Sequence, residues 1–355
     1  MKNTVLEVDV SKFYDNVAVL KKYVGQKEIM PIIKANAYGT YLNKRLDILN
    51  HFSIIAVAEV CEAVELRKIG YEREIFVLNQ PSWEEFDDIC QYHLTIGLSE
   101  ESFLEKVNRP ITVHLEIETG MNRTGIQKKN WTDFFEKMKS NPNIVVEGIY
   151  THFSSADTDL EYTKKQFQIF KEAVDVAKTF FSFRYIHCSA SNGILNFDEN
   201  LSNLVRPGIL LYGYESYLGA SQKISIQPIA KLKTKITYLK EIDIDESVSY
   251  GQKFISDTPM KVATIPIGYA DGLKRNLTGK GEVVVKGEKR RILGAICMDS
   301  CMVDVTGLNV QVGDEVFIWD NEKITLDEIA RKVDTLSYEV LSTISNRVER
   351  VFIND

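Results

Sequence analysis

Lys34 ends the apolar run EIMPIIK (28–34). An amine at the end of a buried strand loses hydration, its pKa falls, and it becomes a better nucleophile toward a carbonyl, which is Schiff-base chemistry. A lysine at a strand end also commonly snorkels its ammonium to water, and the run alone leaves both readings open. The histidines, His51, His93, His114, His152 and His187, show no HExxH or HxH spacing. The cysteines, Cys61, Cys90, Cys188, Cys297 and Cys301, are odd in number and scattered, so they do not make a disulfide framework. Cys297 and Cys301 are four apart, with no histidine near them to complete a zinc site. A reducing compartment and no metal are expected.

The elements that would position Lys34 alternate along the first 225 or so residues. Short apolar runs read EIMPIIK (28–34), SIIAVA (53–58), EIFVLN (74–79), HLTIGL (93–98), ITVHLEI (111–117), NIVVEGIYTHF (143–153), RYIHCSA (184–190) and GILLYG (208–213). They are apolar on both faces, as buried parallel strands should be. Helical patterns lie between them, clearest at 11–24, 59–70 and 159–181. Eight such units fit an open doubly wound sheet or a closed (β/α)8 barrel, and no GxGxxG opens the first turn. The reading is a TIM barrel over 11–225, close to the usual size of roughly 250 residues.

Past residue 225 the texture changes. Alternating stretches such as AKLKTKITYLKEI (230–242), MKVATIPIGY (260–269), GEVVVKGEKRRILGAI (281–296) and DEVFIWD (314–320) predict antiparallel strands. One helix is expected at TLDEIARKV (325–333), with threonine at a capping position. The domain reading is therefore a mainly antiparallel β-domain over 226–355, joined by a strand from residues 1–10.

The whole chain has 355 residues, 43 basic and 50 acidic, for a net charge of −7. No apolar stretch approaches the roughly 20 residues of a membrane span, and the start lacks the apolar block of a secretory signal. The absence of a long basic run argues against nucleic-acid binding. A soluble cytoplasmic protein is expected.

The continuation of the first run, KANAYG (34–39), resembles the alanine racemase family, whose pyridoxal phosphate lysine lies in this motif. The resemblance continues through THFSSAD (151–157), HCSASNG (187–193), VRPGILLYG (205–213), VSYGQKF (248–254), IGYADG (267–272), GAICMDSCMVDV (294–305), VGDEVFIW (312–319) and TISNRVERVF (343–352). The blocks keep family order over essentially the whole chain. They imply a barrel followed by a β-domain, pyridoxal 5'-phosphate as cofactor and a small amino acid as substrate. They also imply a homodimer whose active sites combine one chain's barrel with the other's β-domain.

By this resemblance Lys34 holds the cofactor and serves as one base, and Tyr250 in VSYG is the opposite base, donated by the other subunit. A tyrosine, with its ordinary pKa of about 10, is a poor base at neutral pH unless positive neighbours lower it; His152 supplies a candidate neighbour. Arg206 in VRPG would face the pyridine nitrogen. Because arginine does not readily release a proton, the ring would withdraw electrons less strongly and side reactions such as transamination would be limited. Tyr38, Ser191, Gly208 and Ile209 would hold the phosphate through hydroxyls and backbone N–H groups. Arg123 and the Met298 backbone would receive the substrate carboxylate, with Asp299 beside them and Cys297 in support, and Tyr269 would line the access path. Taken singly, these positions also have ordinary readings: a packed strand-end ring for Tyr250, a rim arginine in a surface ion pair for Arg206, a plain turn for 297–299.

Two strings depart from the family. Many members carry a carbamylated lysine in a string like HLKxDTGMGR, where this chain reads HLEIETGMNR and has Glu116. A carbamate and a carboxylate both present a negative oxygen pair, so Glu116 would orient Arg123. The usual terminal string resembles TISYRVPR, where this chain reads TISNRVER and has Asn346 in place of the tyrosine. Losing the ring enlarges the pocket, and the amide adds a donor and an acceptor suited to a hydroxymethyl group. The same substitution resembles the racemase domain of VanT-type serine racemases of vancomycin resistance. It implies activity on serine and alanine in the supply of D-amino acids for peptidoglycan precursors, and a chain that is either a free-standing enzyme or the cytoplasmic domain of a membrane-anchored protein. The alternatives are an alanine racemase with little serine activity, a broad-specificity racemase, a decarboxylase of basic amino acids, and a non-catalytic pyridoxal phosphate carrier. Tyr250 and Met298 on a second domain count against the last.

Overall fold

A computed structural model describes residues 4–214 and 224–355. Residues 1–3 and 215–223, which fall within the expected first strand and barrel, lie outside the described residues. The described residues form two compact units, one holding residues 4–15, 38–40 and 227–355 and the other residues 16–37, 41–214 and 224–226.

The first strand, β1 (Val5–Asp9), belongs to the former unit; the next eight build the latter as a parallel barrel. They are β2 (Glu28–Ile29), β3 (Ile54–Val57), β4 (Glu74–Val77), β5 (Thr95–Leu98), β6 (Ile111–Glu116), β7 (Ile144–Tyr150), β8 (Tyr185–His187) and β9 (Leu204–Val205). Strands β3 to β8 pair in sequence order, each parallel to the next. Strand β2 pairs with β9, and isolated parallel bridges Ile32–Ala56 and Ala190–Arg206 join that pair to β3 and β8, completing the ring. Every residue of β3 and β5 is buried, as expected of strands covered on both faces.

The expected strand at GILLYG is corrected. Pairing occurs at the two residues directly before Arg206, Leu204–Val205, and Ile209–Tyr212 is a 3-10 turn with all four side chains buried. A short run apolar on every side carries no period to separate strand from turn, and Pro207 cannot donate to a ladder. Helices form at Val60–Lys68 and Leu160–Ala177; Asp159 caps the second by accepting from Tyr162 N–H at 2.9 Å.

The other unit is built on a nine-stranded sheet. Its later strands are β10 (Ala230–Lys235), β11 (Tyr238–Ile242), β14 (Met260–Ile265), β15 (Glu282–Val285), β16 (Glu288–Leu293), β17 (Cys301–Asp304), β18 (Glu315–Trp319) and β19 (Glu349–Ile353); β12 (Ser247–Val248) and β13 (Phe254–Ile255) pair separately. The order is β11-β14-β17-β16-β15-β18-β10-β1-β19, and β1 sits antiparallel to β10 and parallel to β19. An aliphatic cluster of Ile242, Val248, Met260, Val262 and Leu293 packs against Phe254 and Met302. The expected helix is Leu326–Lys332, where Thr325 Oγ1 accepts from Glu328 N–H at 3.1 Å. Among the described residues no helix is long and apolar enough to cross a membrane.

Candidate active site

Lys34 follows buried Ile32 and Ile33 at the carboxyl end of the first barrel strand region, the end where barrel enzymes build their sites. The chain then enters the left-handed region for residues 35–38, with φ of 52°, 53°, 53° and 55° and no glycine among them. L-residues resist this conformation by about 1–2 kcal/mol each. The turn is held by Glu62, whose Oε1 accepts from Ala35 N–H at 2.6 Å while Oε2 accepts from Ala58 N–H at 2.8 Å. Backbone bonds from Ala37 to Ile33 and from Tyr41 to Asn36, both 2.8 Å, complete it. Burial, then the Arg123 charge, lower the Lys34 pKa, and Glu62 and Glu59 oppose the shift. A lowered pKa favours the neutral, nucleophilic amine that Schiff-base chemistry needs.

Arg206 follows β9 and is 1% exposed, so the surface ion-pair reading does not apply. Its NH1 donates to His187 Nδ1 at 2.6 Å and to His187 O at 3.0 Å. Its NH2 donates to Thr151 O at 2.8 Å, His152 Nδ1 at 3.2 Å and Cys188 O at 3.3 Å. Among the described residues no hydrogen bond takes up Nε, which leaves that N–H for a ligand. His152 follows β7, and burial together with Arg206, Arg123 and Lys34 pushes its pKa down to about 3. It is neutral at pH 7, so the expectation that it lends positive charge to a tyrosine is corrected.

Ser191 begins the short helix after β8, and its Oγ accepts from Gly208 N–H at 3.0 Å. Ile209 follows directly and is fully buried. These three positions meet at the carboxyl ends of β8 and β9, a suitable cradle for an anion bound by hydroxyl and backbone groups. Glu116 ends β6, where burial raises its pKa; its Oε1 accepts from Thr124 Oγ1 at 2.7 Å. Arg123 lies one residue before that threonine and acts on Glu116 through its charge; among the described residues no ion pair joins the two.

The remaining expected residues lie in the β-domain unit. Tyr250, 74% exposed, shares an open cleft with Ser249, Cys297, Met298, Asp299 and Ser300. Ser249 holds φ of 68°, and its Oγ donates to Ala295 O at 2.5 Å and meets Cys297 Sγ at 3.4 Å. Tyr269 is joined to this cleft by backbone bonds from Tyr269 to Cys297 and from Ala270 to Met298, at 3.1 and 3.0 Å. Gly268 permits that approach: a Cβ there would lie 2.3 Å from the carbonyl oxygens of Cys297 and Met298. Asn346 is exposed, on the segment leading into β19. In the same unit Tyr38 is buried and its ring lies 6.0 Å from that of Tyr338; burial pushes its phenol well above the usual range.

Three contributors escaped the sequence reading. Glu62 is the fourth residue of EVCE at a helix start, a capping-box spacing that could have drawn notice. Arg347 donates to Asp299 at 2.7 Å and approaches Asp271 at 3.3 Å. His187 is the acceptor that orients Arg206, and nothing in RYIHCSA distinguishes it from a core histidine.

Comparison with known proteins follows the same division. A family model described as the alanine racemase N-terminal domain matches residues 8–216, and one described as the alanine racemase C-terminal domain matches residues 229–352. An alanine racemase of Methanococcus maripaludis is 36% identical over 98% of this chain and 98% of its own length. One from Halothermothrix orenii is 36% identical over 99% of this chain and 97% of its own. The solved alanine racemase of Clostridium difficile 630 superposes with a TM-score of 0.93 at 32% identity, covering 99% of this chain and 96% of that one.

Proposed function

This chain belongs to the alanine racemase family, which depends on pyridoxal phosphate, and from that premise we propose that it interconverts the L and D forms of alanine and of serine. The cofactor, when bound, supplies an electron sink that acidifies the Cα–H of the amino acid. The barrel's residues suit such a group: a desolvated Lys34 amine, a hydroxyl and backbone cradle at Ser191, Gly208 and Ile209, and a buried arginine with one N–H left over.

The observation that carries the reading is Arg206. An arginine whose terminal nitrogens are committed to protein acceptors offers Nε–H as a fixed donor and releases no proton, which suits a reaction that returns the substrate's proton without rearranging it further. Lys34 Nζ moves the proton on one face of the substrate, and Tyr250 Oη of a second copy of the chain moves it on the other. Arg123 and the Met298 backbone hold the carboxylate, and Tyr38 adds its hydroxyl to the phosphate. The exposure of Tyr250 and Met298 (52%) supports the homodimeric arrangement.

Serine activity rests on Asn346. Where the family string has tyrosine, this side chain is exposed and amide-bearing. A pocket that hydrogen-bonds a hydroxyl discriminates far more strongly than one that merely has room for it. Under this reading the chain works like the racemase domain of VanT-type proteins, supplying D-amino acids for peptidoglycan precursors. Incubation with pyridoxal phosphate and either L-serine or L-alanine, with both enantiomers followed by chiral chromatography, tests it. Serine turned over at a rate comparable to alanine is expected. Alanine turned over with serine inert would leave an alanine racemase in which water replaces the family's phenol.

A further inference from the structure

The barrel interior carries a polar column that these roles do not use. Arg206 has no acceptor to offer, so across 2.6 Å it donates to His187 Nδ1. Burial holds His187 well below the usual histidine range, so it is neutral and its single proton sits on Nε2. That nitrogen lies 2.8 Å from Nδ1 of His114, which must therefore accept. His114 is fully buried and its pKa is likewise lowered, which places its own proton on Nε2. This buried nitrogen has no hydrogen-bond partner, and Oε2 of Glu147 stands 3.8 Å from it. The tautomers thus follow one direction, from the arginine to the carboxylate.

The strands build this column. In the β6–β7 ladder Val113 pairs with Val146 but His114 pairs with Gly148, so Glu147 is the extra residue of a bulge. A bulge re-aims the side chain it carries. At Gly148 a Cβ would lie 2.7 Å from the His114 ring, so glycine makes the room that ring occupies. Phe76 stacks on His114 with centroids 4.5 Å apart, and Tyr150 stacks on His187 at 5.0 Å and 2°. Glu147 Oε1 accepts from Arg184 at 2.9 Å, and the same nitrogen reaches Glu74 at 3.2 Å. Burial and the Glu147 charge raise the Glu74 pKa, while the His114 contact holds Glu147 low, so Glu147 is the charged member of the pair.

We propose that Glu147 is a positioning residue for Arg206: its charge, 3.8 Å from His114 Nε2, adds to the arginine's own demand for an acceptor in favouring the Nε2–H tautomers of His114 and His187, which leave His187 Nδ1 free to orient the guanidinium. Without this carboxylate only Arg206 still favours that order, and in a fraction of the molecules His114 can instead donate from Nδ1. His187 would then accept on Nε2, carry its proton on Nδ1 and face Arg206 donor to donor. The effect on turnover rests on Arg206 facing the cofactor ring; the tautomers do not. Glu74, His114 and Glu147 also place donor atoms within 4.8 Å of one another, as a divalent cation would require, but a protonated Nε2 cannot ligate, so the two readings exclude each other.

Nitrogen-15 spectra of histidine-labelled full-length protein, with and without pyridoxal phosphate, separate them. In the wild type His114 and His187 are expected as Nε2–H tautomers that do not respond to added Zn2+. Glu147→Ala should move His187 toward the Nδ1–H form, and Glu147→Gln, whose amide oxygen still accepts, should largely restore it. In the loaded enzyme Glu147→Ala should lower kcat by about 10-fold, as expected when a guanidinium is less firmly oriented, with KM for alanine little changed. A bare Nε2 on His114, a His114 signal that shifts with Zn2+, or a His187 tautomer unmoved in Glu147→Ala would overturn the proposal. Should that variant fail to fold, the wild-type tautomers alone decide. Tautomers that respond while turnover does not would uphold the relay and overturn the placement of Arg206 against the cofactor.

Discussion

In the barrel Arg206 is 1% exposed and donates to five acceptor atoms, whereas in the β-domain Tyr250 is 74% exposed on a turn that begins at Ser249 with φ of 68°. Both are expected to touch the reacting molecule. The barrel fixes a charge by surrounding it with directed acceptors, and its interior carries His114, His187 and Arg206 where barrel cores are usually branched aliphatic. The β-domain has an ordinary aliphatic cluster, and its reactive groups lie outside it, on turns held by backbone contacts. Groups whose protonation must be fixed are buried and wired. Groups that must meet something arriving from outside are displayed.

The largest test of this contrast is Lys34→Ala, expected to lower kcat by about 10⁴-fold, since under the proposed function it would remove both the cofactor's anchor and one proton-handling group. Activity within tenfold of wild type would end the barrel half of the account. Next comes Gly268→Ala, which forces the Cys297 and Met298 carbonyls away from 2.3 Å. Misplacing the display turn should cost about 10²-fold in kcat/KM. Gly279→Ala serves as its control, for no atom lies within 4 Å of a Cβ there; its φ of 78° gives strain without displacement, so stability should fall while activity holds.

A smaller effect is expected for Glu116→Gln. If the carboxylate orients Arg123, KM for alanine should rise about five-fold, the loss of one modest charge interaction, with kcat nearly unchanged. An unchanged KM would leave Glu116 as a partner of Thr124 and Tyr150 only within the barrel, without a part in placing Arg123. The smallest effect concerns acid. His114, His152 and His187 all have folded pKa values below the ordinary 6.5. Below pH 6.5 the unfolded chain therefore binds protons that the folded chain does not, and stability falls as pH drops, for His152 down to about 3. The thermal midpoint should be lower at pH 5 than at pH 7, and a midpoint that rises would contradict the buried, neutral assignment.

Much of this was legible in the sequence. Apolar runs separated by helical patterns pointed to the barrel, and alternation past residue 225 to the β-domain, because strands covered on two faces and on one face differ in period. Of the ring's closing pair, β2 falls inside the expected run 28–34, but β9 was not legible: at two residues it is too short for any period. Nor was the left-handed turn after Lys34, which uses no glycine and is held by Glu62 from 27 residues away. The histidine relay was hidden for the same reason, since His114 and His187 are 73 residues apart and each sits alone in an apolar strand. Lys34 itself was ambiguous until the string following it was read.

Under the proposed function two proton-handling groups, Lys34 on the barrel and Tyr250 on the β-domain of a second copy, are expected to serve opposite faces of one substrate. Tyr250→Phe, loaded with pyridoxal phosphate and given L-alanine or D-alanine in deuterium oxide, tests it directly through the Cα proton signal. Cα exchange is expected to persist with one enantiomer and to be lost with the other, while racemisation falls. Equal loss of exchange with both enantiomers, or racemisation at the wild-type rate, would contradict it.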